Sequence, residues 1–232
     1  MLAAGAYGSP QLLMLSGVGP AAVLQQHGLP VQVDAPEVGE NLQDHPVLPV
    51  VYRTRSRDTL KSAESLLEVL RYLVFKRGML ASGGVEGFAF TQVHPGPVAA
   101  PAIDPGLLSD PDGIDASVLW EGVRLARRIA ATSPLAEWNV GELRPGVSVQ
   151  SDRDLLDYAG TELQTVYHPT SSCRMGSDAR AVIDPQLRVR GIDGLWIADA
   201  SVMPSIPRGH PNAVVAMIAE RAAGWIESAI AR

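Results

Sequence analysis

Apolar and polar positions recur along this chain with periods that mark out short strands and helices. Leu2-Ala3-Ala4-Gly5-Ala6-Tyr7-Gly8-Ser9-Pro10 reads as the tail of a buried strand feeding a turn, so the chain is expected to begin inside a larger domain. Ser9 as N-cap and Pro10 as first helical residue predict a short helix to Leu15. Gly17 and Gly19 end it, and a second short helix follows from Pro20 to about His27. Val47–Arg53 and Val85–Val93 have the make-up of strands, and Leu60–Lys76 that of an amphipathic helix stopped by Gly78. Over Asp112–Ala131 the helical period turns Val118, Leu119, Val123, Ala126 and Ile129 inward and leaves Arg124, Arg127 and Arg128 as a solvated face. Ser151 and Asp154 form a capping box for a short helix through Tyr158, and Thr165–Tyr167 reads as a strand. Leu187–Arg190 and Leu195–Ala198 read as two short strands around Gly191-Ile192-Asp193-Gly194. A final helix opens at Pro211 and Asn212, with Val214, Ile218, Ala222, Trp225 and Ala229 on one stripe.

Composition narrows the class without naming a function. An apolar share of 46% with 19% charged residues is that of an ordinary globular chain, and 232 residues can bury a sizeable core. A formal charge of −6 with no basic run argues against a nucleic-acid surface. No apolar run approaches a membrane span, and the N-terminus lacks the pattern of a signal peptide. One cysteine excludes an internal disulfide, so a cytoplasmic protein is expected.

The chemistry-bearing residues gather in the last third. Tyr167-His168-Pro169-Thr170-Ser171-Ser172-Cys173-Arg174-Met175-Gly176 and Arg208-Gly209-His210-Pro211-Asn212 each carry one histidine, with Asp199-Ala200-Ser201-Val202-Met203-Pro204 between them. His210 precedes a helix N-terminus, where unpaired N–H groups and the dipole favour negative charge. A histidine titrates near neutral pH and suits removal of a hydroxyl proton, while a second hydrogen-bonding group can orient the alcohol and stabilise developing alkoxide. Three other readings fit less well. A metal site would use His168, Cys173 and His210, but their spacing is not that of ligand pairs. Cys173 as a small packing residue is a simpler reading than a nucleophile, and no Gly-x-Ser-x-Gly elbow supports a serine hydrolase.

These three motifs resemble the C-terminal end of the glucose–methanol–choline (GMC) oxidoreductases, flavoenzymes that oxidise alcohols. Gly5 to Gly19 resembles that family's second signature. Val38-Gly39-Glu40-Asn41-Leu42-Gln43-Asp44-His45 resembles its Gly-x-Asn-Leu-x-Asp-His loop near the flavin. Ser171-Ser172 departs from the usual Gly-Thr. The resemblance implies His168 as the catalytic histidine and His210 as its partner. It places FAD against Asn41, Asp199, Ala200, His210, Pro211 and Asn212, and makes a small alcohol the substrate. His45 is read as part of a loop lining the cofactor site, not as a base.

The resemblance also sets out what to look for and fails to find it. A strand–Gly-x-Gly-x-x-Gly–helix unit for the cofactor pyrophosphate occurs nowhere in the chain: Gly17-Val18-Gly19 runs into Pro20. In the family that unit is N-terminal. Gln92–Val98 is a proline-rich stretch where relatives carry several sheet strands. The expected architecture is therefore α+β: a reduced antiparallel substrate-domain sheet with helices, plus a partial FAD-domain stump lacking the nucleotide-binding unit. The expected divisions are 1–45, a partial FAD-domain segment; 46–165, a shortened substrate domain; and 166–232, the histidine segment returning to the FAD domain. Three accounts of activity stay open: a flavin-dependent alcohol oxidoreductase present as a C-terminal piece, a half completed by a separate N-terminal FAD-binding chain, and a non-catalytic remnant.

Overall fold

The structure is a computed structural model that describes residues 1–55, 65–76 and 101–231. In chain order its elements begin with α1 (Gly5–Leu15), β1 (Val18–Gly19), α2 (Ala21–Gln26), β2 (Val33–Asp34), β3 (Pro46–Val47), β4 (Val51–Thr54) and α3 (Leu66–Phe75). From residue 101 onward come α4 (Ile114–Ala130), α5 (Leu135–Trp138), β5 (Asn139–Arg144), α6 (Asp152–Glu162), β6 (Gln164–Thr165), a 3₁₀ turn (Ala200–Val202) and α7 (Asn212–Ile230). β1 and β2 pair in parallel; β3–β6 and β4–β5 are antiparallel. Small sheets mixed with helices are the α+β class expected. The predicted strand Val85–Val93, the start of the Leu60–Lys76 helix, Gly78 and the Gln92–Val98 stretch lie outside the described residues. Among the described residues no helix is long and apolar enough to cross a membrane.

The chain divides into two compact units, the first built from its two ends together with Ala100–Gly113 and the second from the rest of the middle. In the first unit, Leu2 bridges Ile197 in parallel, and Leu13, Val18, Val38, Ile183, Leu187, Val189, Ile197, Val202, Ile218 and Ala222 share one apolar core. The helix stripe on α7 is borne out at Ile218 and Ala222, which are buried, and at Val214 and Trp225, which pack against the core; Ala229 is exposed. Gly17 makes the turn after α1 possible. Its φ is +82°, and a Cβ there would lie 2.4 Å from the Pro30 carbonyl oxygen. Only glycine lets the chain fold back so that Gln32 and Val33 N–H both reach the Gly17 carbonyl.

α1 corrects the sequence reading in an informative way. The helix starts at Gly5 rather than Pro10, so proline falls inside it. A proline there removes the N–H that would bond the Ala6 carbonyl. Ser172, from the histidine motif, donates its hydroxyl to that same carbonyl. At the helix start no local side chain caps the first turn; instead Asp199 accepts from Gly5 N–H at 3.1 Å and from the Ser9 hydroxyl. Both compensations come from more than 160 residues away in sequence.

In the second unit, β4 pairs with β5 through two register shifts. The Ser151–Asp154 capping box is present, and α6 runs past Tyr158 to Glu162 with Leu155 and Ala159 buried. α3 begins on a Ser65 cap that accepts from Glu68 N–H. On α4 the inward face differs from the one expected. Trp120 and Val123 are buried, whereas Val118 and Ile129 are exposed. The arginine face differs as well: Arg127 turns in and grips Glu142 with two hydrogen bonds of 2.8 and 2.9 Å, and also donates to the Val149 carbonyl. Glu142 additionally accepts from Tyr52 and from Gly146 N–H, and its side chain is only 6% exposed. Burial opposes ionisation of Glu142, but the Arg127 hydrogen bonds and charge outweigh it and hold the carboxyl below its ordinary value.

Arg127→Ala is therefore expected to destabilise this unit by about 3–5 kcal/mol, because it strands a buried carboxylate. Since the folded-state value is depressed, the pair's contribution is fully present above the ordinary glutamate value of about 4.3 and fades as pH falls through the folded value. Urea titrations at neutral and acidic pH check both points. Equal midpoints for wild type and Arg127→Ala at neutral pH would contradict this.

Candidate active site

Three short segments of the first unit converge on His168. The loop after β2 is stitched to the histidine motif by an exchange of main-chain hydrogen bonds between Gln43 and Thr170, at 3.2 and 2.9 Å. Val166 N–H bonds the His45 carbonyl, and Gly39 N–H bonds the Ser172 carbonyl. Asp44 is buried, and its Oδ1 accepts main-chain N–H from both His45 and His168, each at 2.8 Å. The third segment, Pro204–Ile206, is held by Gln43, whose side-chain oxygen accepts from Ser205 and from Ile206 N–H. Asn41, at φ +58°, bonds the Gln43 side chain and donates at 3.4 Å to the Pro204 carbonyl.

This scaffold brings three imidazoles into one row. His168 Nε2 lies 3.0 Å from His210 Nδ1, with ring centroids 4.8 Å apart and ring planes at 86°. On the other side His168 Nδ1 lies 2.9 Å from His45 Nδ1, with centroids 5.2 Å apart at 85°. The sequence paired His168 with His210; it gave no sign that His45 would meet His168. The ring nitrogens face one another rather than a common centre, which is hydrogen-bonding geometry and not metal-ligand geometry. Among the described residues no group of His, Cys, Asp and Glu side chains could hold a metal ion.

Electrostatics favour a neutral His168. Burial lowers its pKa first, and the neighbouring His210 and His45 lower it further, while Asp44 acts weakly the other way. A neutral imidazole has a lone pair to offer. Cys173 is fully buried, which pushes its thiol up to about 12, so it stays protonated and inert.

Apart from Asn41, the residues read from the sequence as cofactor contacts fall into two groups. Asn212 is the exposed first residue of α7, Pro211 before it is buried, and His210 is exposed just outside the helix. Among the described residues no side chain caps α7, which leaves its first-turn N–H groups as donors. Asp199 and Ala200 sit at the 3₁₀ turn, where Ala200 accepts from Ser171 N–H. The Asp199 carboxylate is buried and engaged by Gly5 N–H, the Ser9 hydroxyl and Ser201 N–H. The uncapped, dipole-positive start of α7 beside Asn212 suits the electron-rich end of a flavin ring. No Gly-x-Gly-x-x-Gly motif of the kind that cradles a dinucleotide's pyrophosphate occurs in the sequence.

Two GMC oxidoreductase family models match, one over residues 1–47 and one over residues 89–219. Choline oxidase of Arthrobacter globiformis is 40% identical over 264 residues, covering 99% of this chain and 48% of that protein. An uncharacterized GMC-type oxidoreductase of Mycobacterium tuberculosis (strain ATCC 25618 / H37Rv) is 38% identical, covering 98% of this chain and 52% of its own length. Both alignments exceed 232 positions, so these relatives carry residues with no counterpart here. Among solved structures, pyridoxine 4-oxidase from Mesorbium loti superposes with a TM-score of 0.73 at 28% identity, over 96% of this chain and 50% of that one. A fungal aryl-alcohol oxidase shares the fold with a TM-score of 0.81 at 23% identity, over 99% and 54%. The chain spans about half the length of the curated relatives it matches, and it belongs to the GMC oxidoreductase family.

Proposed function

We propose that this chain carries the catalytic and ring-proximal part of an FAD-dependent oxidoreductase acting on the CH–OH group of a small alcohol. The observation that carries this reading is the 3.0 Å contact between His168 Nε2 and His210 Nδ1 beside the uncapped start of α7. A bound flavin would supply the hydride acceptor. His168 is the base: its neutral ring takes the hydroxyl proton on Nε2, breaking O–H and forming N–H. His210 orients the alcohol oxygen and, as a donor, stabilises alkoxide charge as the proton leaves. The N-terminus of α7, with Asn212, would hold the pyrimidine end of a flavin ring, and the backbone at Asp199–Ala200 would hold its ribityl chain. Since the Asp199 carboxylate is already satisfied by three protein donors, its part there is to shape the backbone.

Grip on the adenosine and pyrophosphate belongs to a nucleotide-binding unit that these 232 residues do not contain, so the active form draws that unit from further sequence, of the same polypeptide or of a separate N-terminal half. Purified alone and dialysed against FAD, the chain is expected to emerge colourless. Mixed with the N-terminal half of a GMC relative, it is expected to retain flavin bands. A chain that holds stoichiometric FAD by itself would overturn the division of labour. A mixture that binds flavin but leaves it oxidised with every alcohol tried would favour the remnant reading.

A further inference from the structure

His45 presents a ring nitrogen to His168 that the proposed chemistry leaves unused. The contact is close, at 2.9 Å between the two Nδ1 atoms, and both residues hang their main-chain N–H groups on one Asp44 oxygen. The two rings are therefore fixed relative to each other by backbone as well as by side chain. We infer that His45 is a positioning residue: its bare Nδ1 accepts the Nδ1–H of His168 and holds that ring with Nε2 toward His210 while His168 carries the proton it has taken. The inference rests on reading His168 as the base.

Proton counting supports the direction of the bond. A neutral imidazole has one N–H and one lone pair, and the charged ring has two N–H groups and none. With three neutral rings, each of the two contacts needs one proton, so His168 donates on one side and accepts on the other. One added proton changes this. Placed on His168, it makes that ring a donor on both sides, to His45 Nδ1 and to His210 Nδ1. Both neighbours can then hold their own proton on Nε2, the ordinary form of a neutral imidazole. Placed on His45 or His210, the same proton satisfies at most one contact by a charged donor. The row is thus built to carry a single proton at its centre. Burial and the two flanking rings oppose a proton on His168 and Asp44 favours it, so the hydrogen bonds on both sides of the ring are what hold the proton there during turnover. During catalysis the alcohol O–H breaks and His168 Nε2–H forms; His210 then holds its own proton on Nε2 instead of Nδ1, and the proton on His168 Nδ1 stays in place, hydrogen-bonded to His45 Nδ1.

The test is a nitrogen NMR experiment on the full chain with ¹⁵N-labelled histidine, followed through the first protonation step of the cluster. The inference predicts a coupling across the hydrogen bond between the Nδ1 atoms of His45 and His168, with the proton directly attached to His168 Nδ1. It predicts a slowly exchanging proton there that is lost in His45→Phe. His45→Asn should restore it, because an asparagine side-chain oxygen lies about where His45 Nδ1 does. A proton attached to His45 Nδ1, no coupling in wild type, or a signal unchanged in His45→Phe would each overturn it. Because wild type alone decides the first two outcomes, a variant that fails to fold does not blunt the test. None of these readouts needs turnover, so they stand apart from any failure of the proposed oxidation.

Discussion

His168→Ala is expected to slow reduction of bound flavin by an alcohol about 10²–10⁴-fold in the enzyme completed by its nucleotide-binding half, the usual worth of a positioned general base. Flavin binding itself should survive, because His168 is attached to a loop held by Gln43, Thr170 and Asp44 rather than by its own ring. His210→Asn should cost less. The His168 contact uses His210 Nδ1, and an asparagine amide occupies nearly the same position, so the alcohol can still be oriented. Anaerobic stopped-flow at several pH values checks the ranking. Because burial and the two neighbouring rings lower the His168 pKa, the rate in wild type should hold as pH drops somewhat below the ordinary histidine value of about 6.5. A His168→Ala enzyme within a factor of two of wild type would remove the base assignment.

Asp199→Ala carries the second large effect, this time on stability. Three donors converge on that buried carboxylate: the first N–H of α1, the Ser9 hydroxyl and the Ser201 N–H. Hydrogen bonds to a charged group contribute about 1.5–3 kcal/mol each, they do not add fully, and alanine leaves all three donors dry. A loss of about 3 kcal/mol or more is expected by urea denaturation, and the N-terminal segment should loosen from the rest of its unit. Asp199→Asn keeps an acceptor but turns an N–H₂ toward donors, so it should fall in between. A loss below about 1 kcal/mol would show that the carboxylate does not hold α1.

How much of this was readable before the structure depends on where the partners lie. The α7 stripe and the Ser151–Asp154 box are local: periods and offsets within a dozen residues specify them, and both are present. The contact between His168 and His210 was inferred from motif resemblance, not from spacing, since nothing in the intervening residues encodes a 3.0 Å approach. The start of α1 was misread because Ser9 and Pro10 look like a cap and first turn. The groups that let the helix begin at Gly5 are Asp199 and Ser172, which a local reading cannot see. β5 was passed over because its apolar residues, Val140 and Leu143, stand three apart and break the alternation that marks a strand. Arg127 was placed in solvent for the same reason: its partner Glu142 sits on that unrecognised strand. From the sequence His45 reads only as part of a loop lining the cofactor site, because a loop histidine is ordinary until another ring is found against it.

The central claim is that this chain brings the proton-taking histidine to a flavin supplied with help from another polypeptide segment. The most direct measurement combines the chain with an N-terminal FAD-binding half of a GMC relative, removes oxygen, adds small primary alcohols, and follows the visible flavin bands. Bleaching with at least one alcohol in wild type, at a rate cut about 10²-fold or more by His168→Ala, is the predicted result. Flavin that binds firmly and bleaches equally fast with and without His168 would contradict it.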